Sequence, residues 1–98
     1  MSDNQDSWSD WVDFNQASIS NIPQSSGVFM MHSSMKILFI EGTKNIKKSI
    51  QEKFSHPTIS ENTRLRFIET GNFEKISNKL IRDYRNRHEG NLPFGMQE

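Results

Sequence analysis

Two groups of cations are the side chains in this sequence best suited to binding chemistry: Lys44, Lys47 and Lys48 in one segment, and Arg82, Arg85 and Arg87 in another. Spacings of three and four residues bring such side chains together on a helix surface. Ammonium and guanidinium groups so placed bind phosphate oxygens by charge alone, with no catalytic group required. The solvated outer faces of two amphipathic helices carry the same pattern, so the cations alone leave both readings open. Trp8, Trp11 and Phe14 form a third group, recurring every three residues and costly to leave in water. They either dock onto the domain as a helical turn or anchor a protein partner, with Phe94 a candidate addition.

Other chemistries find little footing. His32, His56 and His88 lie far apart, no two of them four residues from each other, and the chain has no cysteine, so no metal site is expected. None of the serines sits in a nucleophile-elbow pattern, and the glycines are scattered singly rather than gathered into a phosphate-cradling loop. No cofactor is expected, and no catalytic residue follows from spacing alone.

Length and charge set the frame. Ninety-eight residues allow one domain, and a chain of this size buries only roughly 60–65% of the surface its unfolded form exposes. The 12 basic and 12 acidic residues cancel overall, but Asp3, Asp6, Asp10 and Asp13 precede the first Lys or Arg, leaving the remainder basic. That asymmetry suits a basic face with an acidic leader that shields it, or an ordinary solvated surface. With no cysteine, no run long enough to span a bilayer and no basic, apolar start, a soluble cytoplasmic protein without membrane association is expected.

The elements that must position these residues are predicted as follows. Residues 1–6 read as disordered, 1–20 as an acidic segment carrying the aromatic anchors, 21–90 as the domain, and 91–98 as a tail. Residues 27–34 and 35–42 are two apolar, strand-prone runs around a small polar turn, hence an antiparallel hairpin. Thr43 suits a helix N-cap, and Ile46, Ile50 and Phe54 fall on one face of the helix that follows, with Lys44, Lys47, Lys48 and Lys53 elsewhere. His56 and Pro57 stop that helix before a polar loop. Residues 64–70 read as a third strand. Asn72 then caps a second helix, whose Ile76, Leu80, Ile81 and Tyr84 form the buried stripe and whose Lys75, Lys79, Arg82, Arg85 and Arg87 face out; Gly90 ends it. The predicted fold is α/β (α+β): a small three-stranded antiparallel sheet with two or more flanking helices, in the order β-β-α-β-α.

The hairpin motifs Gly27-Val28-Phe29 and Phe39-Ile40-Glu41, followed by a basic helix and preceded by Ile22-Pro23, resemble the GIY-YIG nuclease family over residues 22–88. In that family, two tyrosines of the motifs, an arginine of the first helix and a metal-holding glutamate of the second share the work of phosphodiester hydrolysis. The resemblance places those roles on Phe29, Phe39, Ser49 and Ser77. None of these carries the required group: a phenyl ring cannot relay a proton, and a hydroxyl supplies neither a full charge nor a carboxylate. Glu41 replaces the closing glycine of the second motif, with Gly42 one position later. Lys48, Glu74 and Tyr84 are the available substitutes for the cation, the metal ligand and the phenol.

These readings lead to a GIY-YIG-like domain, catalytically inactive and retained to bind DNA or RNA, with Lys44, Lys47, Lys48, Arg82, Arg85 and Arg87 as the contact residues. One alternative is a protein-interaction domain anchored by Trp8, Trp11 and Phe14. Another is a divergent nuclease, dependent on Mg2+ or Mn2+, with displaced catalytic residues.

Overall fold

The computed structural model describes residues 8–33, 36–56, 59 and 62–96. The expectations for residues 1–6, for the hairpin turn at 34–35 and for the stop at Pro57 fall outside them, as does the side chain of Phe94.

Four strands, β1 (Val12–Asp13), β2 (Gly27–Ser33), β3 (Lys36–Thr43) and β4 (Thr63–Glu69), form one antiparallel sheet in the order β1-β4-β2-β3. The helices are α1 (Gln16–Ile19), α2 (Ile46–Gln51) and α3 (Phe73–Arg87), with 3-10 turns at Glu52–Ser55 and Phe94–Met96. Alternate side chains of a strand point to opposite faces, and β2 divides its residues accordingly. Phe29 and Met31 join Ile46 and Ile50 of α2 and Ile19 of α1 in one core. Val28 joins Ile40, Ile68 and Tyr84 in the other, against which Ile76, Leu80 and Ile81 of α3 also pack. Helices therefore cover both faces of the sheet.

A register shift refines this pattern. Met31 pairs with Phe39 but His32 pairs with Ile37, which leaves Leu38 without a partner opposite it. A bulge of this kind lets two successive residues serve one face, and Leu38 and Phe39 both enter the α2-side core.

Three expectations are corrected. The sheet has four strands rather than three, because the N-terminal segment adds β1 beside β4. That segment is extended where a helical turn was predicted from Trp8, Trp11 and Phe14. A two-residue strand is too short to show an alternating pattern. What sets its conformation is nonlocal: the Ser9 amide donates to the Phe67 carbonyl at 2.8 Å, and the Phe14 amide to the Thr63 carbonyl at 3.1 Å. The Ser9 hydroxyl also accepts from the Phe67 amide at 3.0 Å. Thirdly, Thr43 belongs to β3, and the residue capping α2 is Asn45, whose Oδ1 accepts from the Lys48 amide at 3.0 Å. Thr43 supports that cap, its Oγ1 accepting from the Asn45 amide at 3.1 Å.

The remaining boundaries follow the residues. α3 buries Tyr84 and Ser77 and ends where Glu89 and Gly90 take φ of 57° and 88°, left-handed values that glycine adopts without a Cβ clash. The tail is packed: Pro93 is buried and Met96 lies against the α2-side core.

Gly27 marks the tightest approach, since a Cβ there would stand 2.1 Å from the Ile68 carbonyl oxygen and 2.6 Å from the Ile46 Cδ1. A Cβ at Gly71 would meet nothing within 4 Å among the described residues. Gly27→Ala is expected to lower unfolding free energy by about 2–3 kcal/mol through overpacking, whereas Gly71→Ala should change it by under about 1 kcal/mol, in the stabilising direction. Urea denaturation, compared at equal slope, reads both.

Candidate functional site

Of the four positions that the GIY-YIG resemblance singles out, three lie on the α2 side of the sheet and Ser77 lies on the other. Phe29, in β2, is 0% exposed, and Phe39, in β3, is also buried, both on the α2 side of the sheet. Lys53 from the 3-10 turn lies over them, its Nζ 5.0 Å from the Phe39 centroid and 5.9 Å from that of Phe29. Its charge is matched by Glu41, whose Oε1 is 2.8 Å away. The carboxylate at the glycine-equivalent position thus holds a lysine across the two rings. His56 closes on Phe39 edge to face at 4.8 Å. A Cβ at Gly95 would stand 2.7 Å from the Phe39 ring, so the C-terminal segment packs against it as well.

Ser49 of α2 lies on this same side, its Oγ 2.6 Å from the Thr43 Oγ1. Ser77 does not. It is 7% exposed on α3, and its Oγ donates to the Glu74 carbonyl at 3.1 Å. A Cβ at Gly42 would come within 2.7 Å of that Oγ and 2.6 Å of the Phe73 carbonyl oxygen. Helix and strand approach so closely here that position 77 has room for a hydroxymethyl group. Since Gly42 faces α3 while Glu41 faces Lys53, the sheet itself stands between Ser77 and the phenyl rings. The candidate substitutes divide in the same way, with Lys48 exposed on α2, and with Glu74 exposed and Tyr84 buried on α3. Tyr84 stacks on His88 with centroids 3.9 Å apart. Among the described residues no three His, Asp or Glu side chains gather as a metal-binding group.

The cations are sorted by layer too. Lys44, Lys47 and Lys48 lie at the start of α2; Lys44 and Lys48 are exposed, while the Lys47 Nζ donates to the Ser20 carbonyl at 3.1 Å. Arg82, Arg85 and Arg87 are exposed on α3, across the sheet from them. The two groups occupy separate surfaces. On α3 the helical repeat adds two residues that the sequence left as plain surface, Lys75 and Lys79: with Arg82 they recur at four- and three-residue steps, flanked by Asn78, Arg85 and Asn86, and no carboxylate falls within that sector of the helix. Asn78, Arg82, Arg85 and Asn86 line a shallow depression closed by Glu89 and Gly90. The Arg85 Nε donates to the Gly90 carbonyl at 3.0 Å, which anchors that guanidinium at the end of the helix.

The aromatic group is partly consumed by the fold. Phe14 stacks on Phe54 at 4.4 Å in the α2-side core, and Trp8 packs against the α3-side core. Trp11 stays exposed. Sequence reasoning did not join Trp8 and Trp11 to Arg66, although strand alternation from Ile68 puts that arginine on the α3 side; its guanidinium carbon lies 4.9 and 4.8 Å from their centroids.

No family model, no curated protein and no solved structure matches the chain. No helix among the described residues is long and apolar enough to cross a membrane.

Restoring the missing phenol should disrupt packing and leave chemistry unchanged. Phe29→Tyr places a hydroxyl at a position with no exposure and is expected to lower stability by about 1–3 kcal/mol, the cost of an unsatisfied buried group. It should gain no cleavage of labelled DNA in magnesium or manganese. Chemical denaturation and a gel assay check the two halves.

Proposed function

We propose that this chain is a non-catalytic nucleic-acid-binding module on a GIY-YIG-like scaffold, contacting the phosphate backbone through the outer face of α3. The observation that carries the reading is the cationic sector of that helix, where Lys75, Lys79, Arg82 and Arg85 are exposed together. Over these residues a helix rises about 15 Å, which matches the scale of several successive phosphates. Phosphate binding of this kind asks for charge and reach, not for a base, an acid or a metal. The packing around Phe29 and Phe39 favours a non-catalytic role over the divergent-nuclease alternative, since the substitutes Lys48, Glu74 and Tyr84 sit on separated surfaces. The protein-anchor alternative has less to draw on, because Phe14 and Trp8 are already engaged within the domain.

The reading makes a quantitative demand. Four phosphate contacts imply a slope of about −3 for the logarithm of affinity against the logarithm of salt, so raising salt fourfold should weaken binding roughly fiftyfold. Arg82→Gln combined with Arg85→Gln should halve the slope, while Lys44→Gln with Lys48→Gln, on the other surface, should leave it alone. Fluorescence anisotropy across a salt series measures all three proteins. If the α3 double variant keeps the wild-type slope, or if wild type binds neither DNA nor RNA at low salt, the proposal fails.

A further inference from the structure

Past the edge of α3, the same side of the sheet ends in a second group of side chains. Arg66 stands in β4 opposite Met30, with its guanidinium carbon over the rings of both Trp8 and Trp11. Among the described residues its Nε is buried without a hydrogen-bond partner, and the electron-rich indole faces lie where they attract the charge. His32 meets Trp11 edge to face at 4.2 Å. Two neighbours thus fix the Trp11 ring, and still it is 41% exposed, the one large hydrophobic side chain so exposed among the described residues. An indole held in place with this much surface left in water offers that surface to an aromatic partner.

Beside it lies a depression whose lining is mostly polar, with Asp13, Asn15, His32, Asn62 and Arg64 among the residues around it. Arg64 and Asp13 form an ion pair at 3.2 Å with side chains 59% and 66% exposed. An ion pair this open to solvent contributes at most about 1 kcal/mol, so Arg64 can exchange the carboxylate for a phosphate. A flat π surface, side-chain amides and an exchangeable guanidinium match the three parts of a nucleotide: its ring, its hydrogen-bonding edge and its phosphate. An apolar peptide anchor would instead need apolar walls, and these are largely polar.

We infer that Trp11 is a stacking platform for an unpaired nucleobase, with Arg64 receiving the adjoining phosphate, and that the ligand class of the α3 side is therefore single-stranded nucleic acid. The inference rests on the proposed function and sharpens it, because bases inside a duplex are stacked on each other and cannot reach an indole.

The test uses the full chain and anisotropy titrations at low salt with three probes: a short oligothymidine, a duplex of equal length, and an abasic strand of equal length. Wild type should prefer the oligothymidine. Trp11→Ala should weaken oligothymidine binding roughly tenfold to a hundredfold while leaving the duplex, the abasic strand and the salt slope unchanged. Trp11→Phe, which keeps a ring, should restore most of the loss and guards against an effect on folding. Arg82→Gln with Arg85→Gln should weaken all three probes. If wild type and Trp11→Ala bind oligothymidine equally, the platform is overturned and the α3 proposal stands. If both Trp11 variants lose all three probes alike, Trp11 is a structural residue and the platform is likewise overturned. If wild type binds no probe, the α3 proposal falls and takes the platform with it. A protein that is captured through Trp11, with oligothymidine binding indifferent to its removal, would reassign the surface to a protein partner.

Discussion

Strand β2 is paired along both edges, to β3 and to β4, and covered on both faces, by α2 on one side and α3 on the other. Such a strand has nowhere to put a polar side chain, and between Val28 and Met31 it carries none. Phe29 sits at its centre with no exposure; truncating a ring in such a place typically costs about 3–5 kcal/mol. The same confinement dictates where the helices go. Each has one apolar stripe to bury, and a sheet offers one face to each, so Ile46 and Ile50 claim the first and the stripe of α3 the second. Cations on the outer surfaces of those helices are thereby sent to opposite sides of the molecule. The separation of Lys44, Lys47 and Lys48 from Arg82, Arg85 and Arg87 is thus a consequence of how the core is filled.

The two outer surfaces differ in character. On the α2 side, polar groups are turned on one another: Lys53 on Glu41, Ser49 on Thr43, and Lys47 on the Ser20 carbonyl. These contacts join α2 and its following turn to β3 and to the end of α1. On the α3 side, Lys75, Lys79 and Arg82 make no such ties among the described residues, and Arg85 is held there through its Nε to the Gly90 carbonyl. A group engaged within the protein must give up a partner before it can take a ligand, while a solvated cation gives up only water and counterions. Lys44 and Lys48 are exposed on the α2 side as well, so what distinguishes the α3 side is the larger number of cations that can take an anion at little cost to the fold.

Much of the architecture was legible in local pattern. The paired apolar runs gave the hairpin, and the stripe from Ile76 to Tyr84 gave α3 within a residue or two of its ends; the four-residue spacing of Ile46, Ile50 and Phe54 gave α2, although the helix ends at Gln51 and Phe54 lies in the 3-10 turn that follows. What escaped was set by contacts distant in sequence. β1 exists because Ser9 and Phe14 find the backbone of β4, and two residues cannot announce a strand. Asn45 displaced Thr43 as cap because the strand ran on through Thr43, a boundary that tertiary pairing decides. The candidate site was legible as residue types, but which side of the sheet each would occupy was not. Ser49 and Ser77 were found by counting along helices, but counting does not say which face of a sheet a helix covers. The Gly42 to Phe73 approach makes that assignment, and the pairing of Arg66 with Trp8 and Trp11 depends on β1 having docked at all.

The N-terminal segment then has a double effect on the α3 side. It supplies both indoles around Arg66, extending a charged helix face with aromatic surface, and it brings Asp10 and Asp13 to the same neighbourhood. At the ionic strength of a cell, exposed charges act over about 8 Å, so these carboxylates oppose a phosphate close to β1 far more than one out on α3. Asp13 is already matched by Arg64, which leaves the local balance near neutral and the helix face positive. Under the proposed function, an anionic strand would be drawn first to α3, where charge sets the approach. Short-range contacts with the Trp11 ring, which charge does not select, would act only once the strand had arrived. On the proposed reading, the segment that carries the stacking ring also carries Asp10 and Asp13, which would oppose polyanions that make no stacking contact there.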